Sequence, residues 1–292
     1  RMMGWLTNVL AQCFASIKKV EKVFDEEPTI KNCQNPLVLD EVKGHVEFRN
    51  VSFEFDSVPV LKDVSIDAKP GSTVAVMGIT GAGKSSLINL IGRYYDCSEG
   101  SVLFDGIDVK EMDLLQLRKN VSSVMQETFL FSDTIEENIR FGTDGTSDED
   151  FMAACRDSMV DEFVSELPGG YQTVIGERGL GLSGGQKQRI SIARALVRKA
   201  AVLIMDDSTS ALDMETEYAI QKAMERRKGH TCFIIAHRVS AVKNADEILY
   251  FEDGRIVERG NHQELLKLRG RYYDTYCEQY RDYVEALEKE VI

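Results

Sequence analysis

Apolar residues along the chain change their period several times, and the changes divide it. Over residues 2–24, Met2, Leu6, Val9, Cys13, Ile17, Val20 and Phe24 recur every three or four positions, one face of an amphipathic helix. Trp5 and Leu10 widen that stripe, and Lys18, Lys19, Glu21 and Lys22 make its far end polar. Asp25-Glu26-Glu27-Pro28 stops the pattern, and Pro28 to Pro36 reads as extended linker. From about Gly44 the period becomes two: 45–48 and 51–55 alternate as half-buried strands, and 60–66 reads as another. The continuous apolar run at 73–77 predicts a buried strand, with a helix over 86–91 after it and strands at 101–104 and 121–125. Between about 128 and 167 the pattern turns helical and polar, predicting short helices at 134–141, 148–156 and 160–167. Strand and helix alternate again from Gly184 to Glu258, and acidic, Tyr-rich helical stretches at 261–269 and 271–290 close the chain. The alternating β/α order predicts an α/β fold, a mostly parallel sheet with helices on both faces and the middle helical block inserted as a lobe.

Between the strand at 73–77 and the helix at 86–91 stands Gly78-Ile79-Thr80-Gly81-Ala82-Gly83-Lys84-Ser85. The spacing is that of a phosphate-binding P-loop, in the strand–loop–helix context the motif requires. Gly78, Gly81 and Gly83 let the backbone curl so that several N–H groups face one concavity, and the helix start adds partial positive charge. Lys84 is placed to neutralise β- and γ-phosphates and the Ser85 hydroxyl to meet Mg²⁺. Gly78, Thr80, Gly81, Ala82, Gly83, Lys84, Ser85 and Ser86 form the expected nucleotide-binding set.

Composition narrows the field. A net charge of −13 disfavours general nucleic-acid binding, whereas a P-loop handles a triphosphate locally. The six cysteines form no CxxC pair and the chain has four histidines, suggesting reduced thiols rather than a zinc site or disulfide framework. No window reaches the roughly 18 uninterrupted apolar residues of a membrane span. The chain starts at Arg1 rather than Met, and reads as the C-terminal part of something longer.

A second constellation lies downstream. Ala201-Val202-Leu203-Ile204-Met205-Asp206-Asp207 is an apolar strand ending in two carboxylates, with Asp206 placed to hold Mg²⁺ as a Walker B aspartate does. Before it, Leu182-Ser183-Gly184-Gly185-Gln186 leads into a helix over 190–197, and its Ser and glycines offer free N–H groups to a phosphate. That pentapeptide resembles the signature motif of ATP-binding cassette (ABC) ATPases, between Walker A and Walker B as the family requires. Gln126 resembles the Q-loop glutamine, Ser210-Ala211-Leu212-Asp213 the D-loop, His237 the switch histidine, and Phe55 the aromatic that stacks on adenine. The likeness spans residues 44–270. It implies a P-loop RecA-like core with an antiparallel β subdomain and an inserted α-helical subdomain at about 128–195. It also implies ATP and Mg²⁺ as ligands, with Ser85, Gln126 and Asp206 around the metal.

Several details resemble the exporter type. Gly176-Glu177-Arg178-Gly179 is similar to the exporter X-loop, and Phe129 and Phe131 after the Q-loop are candidates for the socket that receives a coupling helix, or for lobe core. The resemblance divides the chain into 1–24 as the cytosolic end of a last transmembrane helix, 25–43 as linker and 44–292 as cassette, its C-terminal helices falling in 261–292. It places the protein at the cytoplasmic face of a cell membrane, with the transmembrane domain outside this chain. One position departs from the family: Asp207 stands where the catalytic Glu is usual. Its oxygens would sit on the order of 1 Å too far back from the attacking water, a misplacement that can cost roughly 10²-fold in rate. Cassettes of this family sandwich two ATP head to tail, so the resemblance implies a second half-transporter as partner. The expected assembly is a heterodimer with one degenerate site, the alternative a homodimer with Asp207 as a slower base. A soluble cassette ATPase and a nucleotide sensor are the competing classes.

Overall fold

The computed structural model describes residues 2–143, 145–179, 181–209, 211–227 and 229–280, in two compact units, 1–31 and 32–292. In the first, α1 (Met2–Phe24) is one continuous helix without a buried residue, its apolar side chains exposed except for half-buried Val9. Among the described residues no helix is long and apolar enough to cross a membrane.

The second unit is built on two sheets. The smaller is antiparallel, in the order β2-β1-β4-β5, from β1 (Val46–Phe55), β2 (Val58–Ala68), β4 (Glu99–Phe104) and β5 (Ile107–Asp108). The two strands expected at 45–48 and 51–55 are one bulged strand. Asn50, in left-handed conformation, takes up the extra residue, so Phe48, Val51 and Phe53 all remain buried. The larger sheet runs β10-β9-β3-β8-β7-β6, from β3 (Thr73–Gly78), β6 (Val121–Val124), β7 (Val202–Asp206), β8 (Thr231–Ile235), β9 (Glu247–Glu252) and β10 (Arg255–Gly260). Its five strands from β6 to β9 are parallel and β10 is antiparallel at the edge.

The continuous apolar runs of the central strands follow from burial on both faces. Val74, Val76, Val202, Ile204, Phe233 and Ile235 point into one core, shared with the antiparallel sheet and with α2 (Lys84–Ile91). On the opposite face Leu203, Met205 and Cys232 meet the helical lobe, while Ala75, Met77, Ile248 and Tyr250 meet the C-terminal helices. After α3 (Leu114–Lys119), a helix the hydrophobic period did not reveal, the lobe comprises α4 (Ile135–Arg140), α5 (Asp148–Asp157), α6 (Val160–Val164) and α7 (Gly184–Val197). Thr134 and Ser147 cap α4 and α5 by accepting from N–H groups three residues on. Helices α8 (Met214–Arg226), α9 (Val239–Val242), α10 (His262–Leu268) and α11 (Arg271–Gln279) complete the unit. The rest of the helix expected at 271–290, beyond Tyr280, lies outside the described residues.

The chain ahead of β1 is tied to the second unit from Asn32 onward. Leu37 exchanges backbone bonds with Glu111 and Asp113, and the Gln116 amide takes both the N–H and the C=O of Leu39.

Candidate functional site

The chemistry-bearing residues gather because four adjacent strands run parallel and end together. Met205 pairs with Val124, and Ile235 pairs with both Asp206 and Val76, so the carboxyl ends of β6, β7, β8 and β3 lie side by side. Gln126, Asp206, Asp207, His237 and the P-loop after Gly78 all follow those ends, the usual place for a ligand in an open α/β sheet.

The P-loop has no room for side chains at its two turning points. A Cβ on Gly78 would lie 2.1 Å from the Phe251 carbonyl oxygen, and one on Gly83 would lie 2.9 Å from that of Val60. Both glycines have positive φ, which aims successive N–H groups inward. Lys84, first residue of α2, is buried and donates to the carbonyls of Gly78 (2.9 Å) and Ile79 (2.8 Å). An ammonium has three N–H donors, so these two bonds preset its position and leave one for a phosphate oxygen. Burial pulls the Lys84 pKa below its ordinary value, while the charges of Asp206 and Asp207 act the other way.

Ser85 Oγ donates to Asp206 Oδ2 at 3.4 Å. Burial raises the Asp206 carboxyl's pKa, Asp207 adds to that shift, and Ser85, Lys84 and His237 oppose it. Two oxygen donors beside a phosphate cradle suit a hard cation such as Mg²⁺, which takes one or two protein oxygens and completes its shell with phosphate and water. Asp207 has φ 44, a left-handed conformation that Asp tolerates better than most side chains, and its N–H donates to Ile235 O at 2.9 Å. His237 is exposed just past β8, and Gln126 is exposed just past β6.

Phe55 lies on the other sheet, at the β1–β2 hairpin, 49% exposed, with its edge against Tyr95 at 5.8 Å between ring centres. The hairpin's Val60 and Leu61 lie against Gly83, so β2 abuts the P-loop.

The Leu182–Gln186 segment forms a second helix start. Ser183 caps α7: its Oγ accepts from Gln186 N–H (3.2 Å), and Gln186 Oε1 accepts from Ser183 N–H (2.9 Å). The helix begins at Gly184 rather than at 190, because this reciprocal cap stabilises its first turn. Ser183 and Gly184 are exposed, and Ala211 lies over the two glycines. The Gln188 side chain accepts from Ala211 N–H (3.1 Å), Leu212 is buried, and Asp213 caps α8. Ser210 lies outside the described residues.

Three supporting residues escaped the sequence reading. Arg194 donates to the carbonyls of Asn138 (2.7 Å) and Phe129 (2.8 Å) and to Asn138 Oδ1 (2.9 Å), fastening the segment after Gln126 to α7. Its guanidinium lies over Phe131 and Phe141, which with Phe129 form an aromatic cluster. Phe129 and Phe141 are exposed, so the cluster is surface rather than lobe core. Asn138 is buried among backbone partners of the same segment. Gln279 of α11 bonds the backbone on both sides of Arg238, next to His237. A polar residue in a helical stretch is the only sign any of the three gives in sequence.

A P-loop on a parallel sheet, a carboxylate at the end of the next strand but one and a capped Ser-Gly-Gly helix start define a nucleoside-triphosphate-binding ATPase. The chain matches the family described as ABC transporter over residues 61–210, and it belongs to that family. It is 42% identical over 278 residues to the ATP-dependent lipid A-core flippase of Syntrophus aciditrophicus, covering 95% of this chain and 46% of that protein. It is 43% identical over 269 residues to the putative multidrug export ATP-binding/permease protein YgaD of Bacillus subtilis, covering 91% and 46%. Among solved structures it is similar to a bacterial Atm1-family ABC exporter with ATP bound, with a TM-score of 0.88 and 36% identity over 95% of this chain and 49% of that one. The chain thus spans about half the length of the relatives it matches. The α/β fold with parallel core, antiparallel subdomain and helical lobe is the fold expected of this ATPase class.

Proposed function

We propose that this chain is the ATP-driven motor of an exporter, that its own Walker site turns over slowly, and that its signature serves the site of a partner cassette. The observation that carries the slow site is Asp207. Its backbone is fixed by the bond to Ile235 O and by its left-handed φ, so the side chain cannot advance to make up the methylene that Glu would add. Misplacement by about 1 Å can cost roughly 10²-fold in rate.

The residues divide the work. Lys84 and the P-loop N–H groups hold the β- and γ-phosphates, and the Phe55 ring stacks on the base. Ser85, Asp206 and Gln126 hold Mg²⁺, which when bound supplies charge neutralisation across the phosphates. Asp207 orients the attacking water and accepts its proton, and His237 contacts the γ-phosphate. Ser183 and the Gly184–Gly185 N–H groups face outward from a helix start, suited to the γ-phosphate of an ATP held by a second cassette. Ala211, Leu212 and Asp213 follow the Walker strand, and Ala211 and Leu212 lie against the signature glycines, linking the two sites within one chain.

The remaining assignments rest on the relatives. Residues 1–24 continue from a membrane domain, 25–43 link it to the cassette, and 44–292 form the cassette at the cytoplasmic face. The cluster of exposed Phe129 and Phe141 around half-buried Phe131, with Glu177–Gly179 nearby through the approach of Gly179 to Leu130, receives a coupling helix of that domain.

ATP turnover by this chain alone, at a concentration that allows pairing, tests the slow site against Asp207→Glu. A rise of tenfold or more, about 1.4 kcal/mol off the barrier, is expected in the Glu variant. Brisk turnover by the wild type with little gain from Glu sinks the slow site and favours a homodimer in which Asp207 works as the base.

A further inference from the structure

Helix α9 has a poor start. Arg238 stands at its N-cap and makes no side-chain capping bond, and the Val239 N–H, first of the helix, is one of the donors that no turn of the helix satisfies. The acceptor comes from the far end of the domain. Gln279 Oε1 accepts from Val239 N–H at 2.8 Å, and Gln279 Nε2 donates to the His237 carbonyl at 2.6 Å.

Both bonds close around Arg238, whose φ of −96° and ψ of 132° are extended. Extended backbone sends the preceding C=O and the following N–H to the same side, so one primary amide takes both, as a neighbouring strand would. A turn of Arg238 into helical conformation would send those groups apart and break at least one bond. The amide therefore holds one backbone state at the residue next to the switch histidine.

The support for that amide is rigid. Tyr272 of α11 is fully buried, its N–H donating to Glu258 (3.0 Å) and its hydroxyl meeting His262 Nδ1 (2.7 Å). Arg271 pairs with Glu252, and Thr275 with the Tyr250 hydroxyl. Gln279 stands about 12 Å along the helix from Arg271 and about 6 Å from Thr275, at 1.5 Å per residue. Glu252 and Tyr250 belong to β9, which pairs directly with the P-loop strand β3. A path of tethered elements thus runs from the phosphate cradle through β9 and α11 to the backbone of His237.

We propose that Gln279 is a positioning residue for the switch: its amide fixes the backbone from His237 to Val239 and thereby sets where the His237 imidazole meets the γ-phosphate. The inference rests on His237 as the γ-phosphate contact, and the test separates the two. Affinities for MgATP and MgADP, and ATP turnover, are measured on the whole chain at pairing concentration for wild type, His237→Ala, Gln279→Met, Gln279→Glu and the His237→Ala/Gln279→Met pair. Met keeps the length of Gln and loses both bonds. Glu keeps the acceptor for Val239 N–H and sets a carboxylate oxygen against the His237 carbonyl in place of the donor, so it decides the matter should Met lower the melting temperature.

The expected result is a fall of about tenfold in kcat and in the ATP-over-ADP affinity ratio for both Gln279 variants, within the cost of misplacing a catalytic group. KM for ATP should rise with the lost affinity, the nucleotide-free melting temperature of the Glu variant should stay within a few degrees of wild type, and Gln279→Met should add nothing once His237 is Ala. Gln279 variants that keep the wild-type ratio while His237→Ala loses it overturn the inference alone, as does an additive double variant. A His237→Ala chain that keeps the wild-type ratio and turnover overturns the histidine's role and the inference with it.

Discussion

Two helix starts in this chain are proposed to meet phosphate, and they differ in how much of a site each contains. At α2 the Gly78–Ser85 loop is closed in. Gly78 and Gly83 abut backbone, Lys84 is buried and bonded to the loop's own carbonyls, and Asp206 reaches Ser85 from β7, two strands away. At α7, Ser183 and Gly184 are exposed, the cap is satisfied within its own turn, and no cation or carboxylate of the described chain is bonded to it. One start carries a charge, a metal-binding pair and walls. The other carries only N–H groups, a hydroxyl and a flat approach. A single chain therefore holds one nearly complete site and one half-site, the division expected of a protein that works against a second copy of its fold.

The comparison is most easily broken at the first start. Lys84→Ala removes the buried charge between loop and phosphates, and MgATP affinity of the isolated chain should fall about 100-fold, as expected for losing one member of a buried charge contact. Isothermal titration reads this directly, and an affinity within a few-fold of wild type would mean that the N–H cradle suffices alone. Gly185→Val acts on the second start. A Cβ there would already sit 3.2 Å from Ala211 O, so Val must push the D-loop or the helix start aside. Nucleotide affinity at the chain's own P-loop should stay within about twofold, while turnover in the assembled pair should fall at least about tenfold. Equal loss of both would show that the two starts are not separable.

The smallest effect concerns stability. Burial raises the Asp206 pKa above its ordinary 3.8, so the folded chain binds that proton more readily than the unfolded chain does. Stability from this group is greatest below 3.8 and is lost as pH rises through the higher folded value, leaving the penalty in full at neutral pH. Asp206→Asn should therefore raise the nucleotide-free melting temperature at pH 7 by about 2–4 °C, and the gain should shrink toward pH 4. The same variant should lose Mg²⁺-dependent turnover. A melting temperature that falls at pH 7 would show that the Ser85 bond outweighs the burial of charge.

Much of this was legible in the chain. The P-loop glycines, Lys84 and Ser85 are contiguous, and their function depends on local backbone, so spacing alone identifies them. The apolar runs at 73–77 and 201–205 report burial on both faces, which is why a parallel sheet could be read without coordinates. The helix start at Gly184 was less visible, since a Ser-Gly-Gly sequence has low helical preference until Gln186 closes its cap. Helix α3 is only six residues long, too short to show a period.

The sequence by itself determined the motifs, their order and the departure at Asp207, because each is a property of neighbouring residues. Tertiary structure alone decided which supporting side chains serve them. Arg194 binds carbonyls at Phe129 and Asn138, and Gln279 reaches back to His237 and Val239, across separations that no local pattern encodes. Backbone groups are the partners in these bonds, and every residue has them. Nothing in the amino-acid letters marks which carbonyl or N–H will be left open, so only the packed chain could show where those amides and guanidinium groups are needed.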